Sequence, residues 1–286
     1  MIPFSGRHSL VQFMPLKPIR YGFKAFLLCE ACSGYVLNWK LYTKDIKTED
    51  FGATYRTVMS VSEGFEGEGN TIFMDRYYTG VQTVADLKNK KIGACGTIKM
   101  NRLHLDQNSK KTIESLEDRK ILYFQGPQGL LLTCWKDSKI VTVLSNYHGT
   151  ELVEVTRKLR KKDIKKNEAN SIEELGNNYH KETISIPKSI ADYNQFMRGV
   201  DLFDQKSSYY SIQLRSKRWY MKILFHMIDI SLVNAHIIYS HFRINSNKKI
   251  FDQIEFRKAV VRELVSNLRT KLGVPFTEKR KRTTNI

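Results

Sequence analysis

Apolar and polar positions along this chain repeat on two periods, and the switches between them mark out the elements. Residues 23–29, Phe-Lys-Ala-Phe-Leu-Leu-Cys, form the short apolar run that a buried strand requires. Gly34 marks a turn, and 35–43 set Tyr, Leu and Trp against smaller or polar partners, which predicts the second strand of a hairpin. Residues 49–65 change to helical spacing, with Tyr55, Val58, Met59 and Ser62 along one face, and the glycines between 64 and 69 end that helix. Residues 71–74 read as a short strand stopped by Asp75. A helix is expected over 80–90, carrying Val81, Val84, Ala85 and Leu87 and capped by Thr79. Another strand follows at 92–98. Residues 101–120 are polar and carry little pattern. Residues 130–135 and 140–144 predict a hairpin closed by Lys136-Asp137-Ser138-Lys139.

Beyond this point the pattern divides. Residues 157–182 are highly charged, opening on Arg157-Lys158-Leu159-Arg160-Lys161-Lys162, and read equally as a loop, a helix laid on DNA or a solvated linker. After Pro187 the spacing is helical over 190–202, over 219–242 and over 251–272, where Ile254, Val261, Leu264, Leu268 and Leu272 fall near one face. The stretch 219–242 is the longest apolar one, but Lys222, His226, Asp229, Asn234 and His236 interrupt it, which predicts a buried helix rather than a membrane span. His226 and Asp229, three apart, are expected in a buried polar network rather than as a metal pair. This element order suits an α/β fold with a mixed sheet; an RNase H-like arrangement is permitted by it but not selected.

Composition narrows the partner. The 286 residues carry 47 basic against 29 acidic side chains, a formal charge of +18. An excess of that size favours a polyanion, nucleic acid first, because phosphate neutralisation supplies most non-specific affinity. Cys29, Cys32, Cys95 and Cys134 have neither the spacing of a disulfide framework nor that of a zinc site, and are expected as reduced thiols. No secretory signal pattern opens the chain, and no P-loop or dinucleotide fingerprint is present, so neither a membrane nor a small-molecule cofactor is expected. Glu278-Lys279-Arg280-Lys281-Arg282 near the end reads either as a nuclear-localisation signal or as a disordered basic tail.

Phosphodiester chemistry commonly employs two hard cations bridged by carboxylates brought together from separate elements. Glu30 follows the first apolar strand, Asp75 follows 71–74, and Asp201 and Asp204 lie three apart at the start of a helical region, where both can face one way. Each acid alone also suits a turn, a helix cap or a solvated face.

The residues around these acids resemble the piggyBac transposases and the proteins derived from them. The likeness rests on Phe4-Ser5-Gly6-Arg7, Gln12-Phe13-Met14-Pro15-Leu16-Lys17-Pro18, Gly22-Phe23-Lys24, Met74-Asp75-Arg76-Tyr77-Tyr78-Thr79 and Gly96-Thr97-Ile98-Lys99-Met100-Asn101-Arg102. It continues in Asp192-Tyr193-Asn194, Gly199-Val200-Asp201-Leu202-Phe203-Asp204-Gln205, Tyr209-Tyr210, Lys217-Arg218-Trp219 and Asn234-Ala235, in the family's order across about 4–242. The resemblance implies an RNase H-like catalytic domain interrupted by an insertion. Its first part would be 1–100, the insertion 101–187, its continuation 188–245, and a C-terminal helix and basic tail 246–286. It also implies two Mg²⁺ ions, or Mn²⁺, on Glu30, Asp75, Asp201 and Asp204, with no zinc site. Lys99, Arg102, Arg215, Lys217 and Arg218 are the expected contacts to double-stranded DNA. The implied activity is cleavage and transfer of transposon ends at TTAA sites by a nuclear homodimer, and the alternative is a domesticated, non-catalytic DNA-binding protein. Where the family has Asp this chain has Glu30, which adds a methylene to a site whose geometry must hold within about 0.5 Å. The family's longer members add an N-terminal region and a cysteine-rich zinc domain, so a catalytic-core fragment is expected.

Overall fold

A computed structural model describes residues 1–43, 52–160, 172–174, 179–212 and 214–272. In chain order the elements are β1 (Ile2–Pro3), β2 (Val11–Phe13), β3 (Tyr21–Phe23), β4 (Ala25–Cys29), β5 (Val36–Leu41), α1 (Ala53–Val61), β6 (Thr71–Met74), α2 (Val81–Asn89), β7 (Gly93–Thr97), α3 (Gln107–Glu114), β8 (Ile121–Gln125), β9 (Leu131–Lys136), β10 (Ile140–Ser145), β11 (Leu152–Arg160), β12 (Ile172–Glu174), β13 (Tyr179–Pro187), α4 (Lys188–Phe196), α5 (Gly199–Tyr209), α6 (Trp219–Asn245) and α7 (Gln253–Leu272). They group into two compact units, one of residues 24–200 and one of 1–23 with 201–286.

The first unit is built on a five-stranded mixed sheet ordered β6-β7-β10-β9-β8. β6 and β7 run parallel, and every other neighbour is antiparallel. Consecutive residues of β7 serve opposite faces. Ala94 joins the core made with Val84 and Leu87 of α2, Val58 of α1 and Ile113 of α3. Cys95 joins the core made with Ile186 of β13 and Ile190 and Tyr193 of α4. Leu132 and Cys134 of β9 face the first core and Trp135 the second. A strand buried on both faces reads as an unbroken apolar run, which is why these strands were legible as runs rather than as alternations. Each fully buried aliphatic side chain contributes about 1.5–3 kcal/mol.

β4 and β5 form a separate antiparallel hairpin whose turn carries Gly34 at φ +76°, and Leu28 packs against the first core. The described parts of the charged segment belong to a β-ribbon rather than a loop or helix: β11 pairs with β13 over their full length, and β12 adds to β13. Along β13 the inward positions are Glu182, Ile184 and Ile186. Glu182 is fully buried between the guanidinium groups of Arg119 and Arg157, and Arg157 also reaches Asp137 at 2.9 Å. A salt bridge therefore occupies inward positions where a periodicity argument looks for apolar residues. The remainder of 157–182 lies outside the described residues, as does the basic run 278–282.

The polar stretch 101–120 also holds structure: Asp106 caps α3 by accepting from the amides of Asn108 and Ser109. The expected helix over 190–202 is interrupted at Met197 and Arg198, giving α4 and α5.

The second unit contains a small sheet ordered β1-β3-β2, most of α5, and the helices α6 and α7. Phe23 is fully buried there, with the Trp219 ring 6.2 Å away. α6, at 27 residues, is long and apolar enough to cross a membrane by length and composition. The expectation of a buried helix does not hold: its buried residues are Asp229, Ile230 and Val233, while Leu224, Met227, Ile228, Ile238 and Phe242 are exposed. Asp229 does lie in a buried polar network. It accepts from Ser211 Oγ at 2.9 Å and from the Ile212 amide, and pairs with Arg257 Nη1 at 3.4 Å. That network ties one face of α6 to polypeptide.

Candidate functional site

Glu30 directly follows β4 and closes the hairpin turn with its own side chain. One carboxylate oxygen accepts the Cys32 amide at 2.9 Å and the other the Ser33 amide at 2.6 Å. Burial presses this carboxyl upward, but the hydrogen bonds from Ser33 and Cys32 outweigh it and hold the pKa below its ordinary value. The same strand end meets Gly199, where a β-carbon would lie 2.9 Å from the Glu30 carbonyl oxygen. Only glycine permits that approach of backbone to backbone.

Asp75 directly follows β6 and is exposed. Its Oδ1 accepts the Arg76 amide at 2.6 Å, and its carbonyl accepts the amides of Tyr78 and Thr79. Thr79 does not cap α2. Gly80 takes that position without a side-chain bond, while the buried Thr79 hydroxyl donates back to the carbonyls of Asp75 at 3.1 Å and Met74 at 3.4 Å. Arg102 Nη1 donates to the carbonyls of Tyr77 and Thr79, both at 2.9 Å. The guanidinium thus braces the turn behind Asp75. Arg102→Ala is expected to destabilise the chain by about 1–2 kcal/mol through loss of these charge-assisted bonds, measured by urea unfolding. An unchanged midpoint would show that the brace carries no stability.

Asp201 and Asp204 lie one turn apart on α5, in the second unit, and both are exposed. Desolvation by the protein around it pushes the Asp204 carboxyl upward; Lys17 opposes the shift and Asp201 adds to it. Lys99, Arg215, Lys217 and Arg218 are all exposed. The structure thus gives Glu30 and Asp75 to one unit and Asp201 and Asp204 to the other. Among the described residues, no group of three or more His, Cys, Asp or Glu side chains is arranged to hold a metal ion.

Sequence reasoning missed a hydrogen-bonded series in the first unit. Ser145 Oγ lies 2.8 Å from His148 Nδ1, and His148 Nε2 lies 3.1 Å from Asp192 Oδ2. An ionised Asp192 requires the proton on Nε2, so Nδ1 accepts from Ser145. Ser145 is buried, which leaves its hydroxyl no approach to a substrate. The series pins α4 to the end of β10. Asp192 also lines, with Glu30, a cavity of about 440 Å³ walled by Phe65, Phe73 and Phe196. No spacing in the sequence signals a contact that joins positions 44 apart.

The family model described as Transposase IS4, of the DDE type, matches residues 1–236. The chain belongs to the DDE transposases. Among its relatives are proteins of the piggyBac group. It is 27% identical over 271 residues to human PiggyBac transposable element-derived protein 3, covering 91% of this chain and 42% of the relative. It is 24% identical over 271 residues to human PiggyBac transposable element-derived protein 2, with the same coverage of 91% and 42%. A piggyBac transposase solved by cryo-EM in a synaptic complex with hairpin DNA superposes with a TM-score of 0.75 at 23% identity, over 96% of this chain and 53% of that one. The DDE transposase chain thus spans about two fifths of these curated relatives and about half of the solved transposase. Its mixed sheet with flanking helices is the fold of that structure, consistent with the RNase H-like class expected from the resemblance.

DDE transposases generally use divalent metals, and the donor chemistry in this one suits them. Glu30, Asp75, Asp201 and Asp204 offer only oxygen, the donor of Mg²⁺ and Mn²⁺. Each Glu30 oxygen accepts one amide, and an ionised carboxylate has about four acceptor sites, so the turn bonds leave room for a cation.

Proposed function

We propose that this chain is the core of a piggyBac-type transposase that binds double-stranded DNA and cleaves and transfers its strands, with Glu30 weakening the cleavage step. The observation that carries this reading is the bracing of Asp75. Gly96, Thr79 and Arg102 fix the backbone behind an exposed carboxylate that would otherwise be an ordinary turn residue. On this reading Glu30, Asp75, Asp201 and Asp204 would hold two Mg²⁺ or Mn²⁺ ions, and these supply Lewis-acid stabilisation of the attacking and leaving oxygens. Lys99, Arg102, Arg215, Lys217 and Arg218 neutralise phosphates, in keeping with the formal charge of +18. Arg102 does so with whatever donor capacity its two carbonyl bonds leave. TTAA targets, a homodimer on paired transposon ends and residence in the nucleus belong to the same proposal.

A second reading, a DNA-binding descendant without chemistry, is favoured by one specific observation: the amides of Cys32 and Ser33 tie the Glu30 carboxylate to the hairpin turn, so it has a structural role that needs no ion. Nicking of supercoiled plasmid in Mg²⁺ or Mn²⁺, beside duplex binding at low salt, separates the two. The catalytic reading expects slow nicking, a gain of about tenfold or more with Glu30→Asp on the geometric argument, and loss with Asp75→Ala. No cleavage by the Glu30→Asp variant, with DNA binding intact, sinks it in favour of the second reading. Absence of binding at low salt sinks both.

A further inference from the structure

One face of α6 is apolar and open. Leu224, Ile228, Ser231, Ala235, Ile238 and Phe242 follow one another at alternating steps of four and three residues, the spacing of a coiled-coil seam. All six are exposed, Leu224 and Ile238 at 44% and Phe242 at 66%. With about 3.6 residues per turn, the stripe falls on the side of the helix away from Asp229 and Val233, and it runs for about 27 Å. The buried side is already occupied: Arg257 of α7 pairs with Asp229, and the Phe256 ring stands 5.3 Å from that of His236. Exposed Met227 widens the stripe, and between 223 and 242 Asp229 is the single Asp, Glu, Lys or Arg. An apolar row of this length facing solvent marks a contact surface.

The order of side-chain sizes says which partner fits. Leu224 and Phe242 each stand nine residues from Val233, Ile228 and Ile238 five, and Ser231 and Ala235 two. The stripe is therefore large, branched, small, small, branched, large, and reads alike in both directions. A second α6 laid antiparallel, about a two-fold axis level with Val233, sets Leu224 against Phe242, Ile228 against Ile238 and Ser231 against Ala235, in both copies at once. Isologous contacts demand that reciprocity, and a foreign helix has no use for it. Small residues at the crossing let the helix axes approach to roughly 8 Å, and the antiparallel arrangement places unlike ends of the two macrodipoles together. Lipid suits the stripe less, because interfacial helices carry Lys and Arg on the polar face and here that face holds Asp229.

We propose that two copies of this chain pair through α6, antiparallel, with Ser231 and Ala235 at the crossing. This gives the homodimer of the preceding proposal its surface; the pairing is tested without DNA, so that the two can fail separately. A helix pair of this length buries less than about 1,200 Å², the class of weak and concentration-dependent contacts.

Sedimentation velocity of the full chain at roughly 1–100 µM, a range suited to such contacts, should show the dimer fraction rising with concentration. Ile238→Glu and Ala235→Leu, both at exposed positions, should each raise the dissociation constant by about tenfold or more, the first by setting a charge against the partner's Ile228 and the second by holding the axes apart. Adding Ile228→Lys to Ile238→Glu should restore pairing, because the two-fold brings opposite charges together; a parallel pair would bring like charges together and stay apart. Circular dichroism checks that each variant keeps its helices. A chain that stays monomeric at every concentration overturns the inference, and duplex binding by that monomer leaves the DNA reading standing. A dimer indifferent to both Ile238→Glu and Ala235→Leu lies on another surface and overturns the inference too. Dissociation by the single variants without rescue by the double one overturns the antiparallel register. A dimer that responds as expected and binds no duplex supports the pairing and overturns the DNA reading. Uptake of a monomeric chain by phosphatidylcholine vesicles, lost in Ile238→Glu, assigns the stripe to lipid and overturns the pairing.

Discussion

Glu182→Ala lowers the stability of the chain by about 3–5 kcal/mol, the cost of opening a buried ion pair from one side. Glu182 is fully buried on β13, and its carboxylate is shared by Arg119 and Arg157. Truncation removes the buried charge that both half-buried guanidinium groups share, and Arg157 is left with Asp137. The two arginines are less committed. Arg119 and Arg157 keep 42% and 30% of their side-chain surface, so single alanine substitutions there cost less, and Arg157→Ala leaves a partly exposed Asp137 that water can serve. Urea unfolding measures all three. Removing the charges together, as Glu182→Leu with Arg119→Met and Arg157→Met, restores most of the loss, because a well-packed apolar replacement is often neutral or better. If Glu182→Ala costs no more than an exposed substitution, the pair does not hold the ribbon to the sheet.

Gly96→Ala should remove both stability and any metal-dependent cleavage. Gly96 pairs with Met74 across the parallel β6–β7 ladder, one residue before Asp75. A β-carbon there would lie 2.6 Å from the Met74 carbonyl oxygen and closer still to Thr79 Oγ1. One neighbour is backbone and the other a buried hydroxyl fixed by its own hydrogen bonds, so neither can swing away. The strands must part instead, at a cost of about 1–3 kcal/mol for overpacking. The displacement falls on the residues that aim Asp75. At a temperature where the variant remains folded by circular dichroism, it should bind duplex DNA and fail to nick it. Nicking at the parental rate would mean that the Asp75 position does not depend on this contact.

What was legible in the sequence follows from which forces leave a local trace. The strand 71–74 and the hairpin strands 131–136 and 140–145 were legible because burial on both faces leaves unbroken apolar runs. α3 was not: Ile113 is its buried residue, and its start depends on Asp106 as a cap rather than on a hydrophobic stripe. β11 and β13 were hidden because Arg157 and Glu182 face inward as ions. Thr79 was misread as a cap because an N-terminal threonine is a sound prior, whereas its real partners lie on the preceding strand. The break between α4 and α5 follows from Gly199 meeting the Glu30 backbone, a contact between distant parts of the chain. The acids were picked out by their places at strand ends and on one helix face, and their joint role came from the family resemblance, since a lone Asp at a strand end has too many ordinary uses to stand out.

The bracing of Asp75 also bears on how lineages of such proteins should be sorted. Thr79, Gly96 and Arg102 are fixed by sterics and by hydrogen bonds to carbonyl oxygens, none of which involves the carboxylate of Asp75. A descendant that abandons chemistry still draws stability from these three residues. Their survival alone therefore records descent, and selection for cutting DNA is recorded by the brace together with the exposed acid at its end.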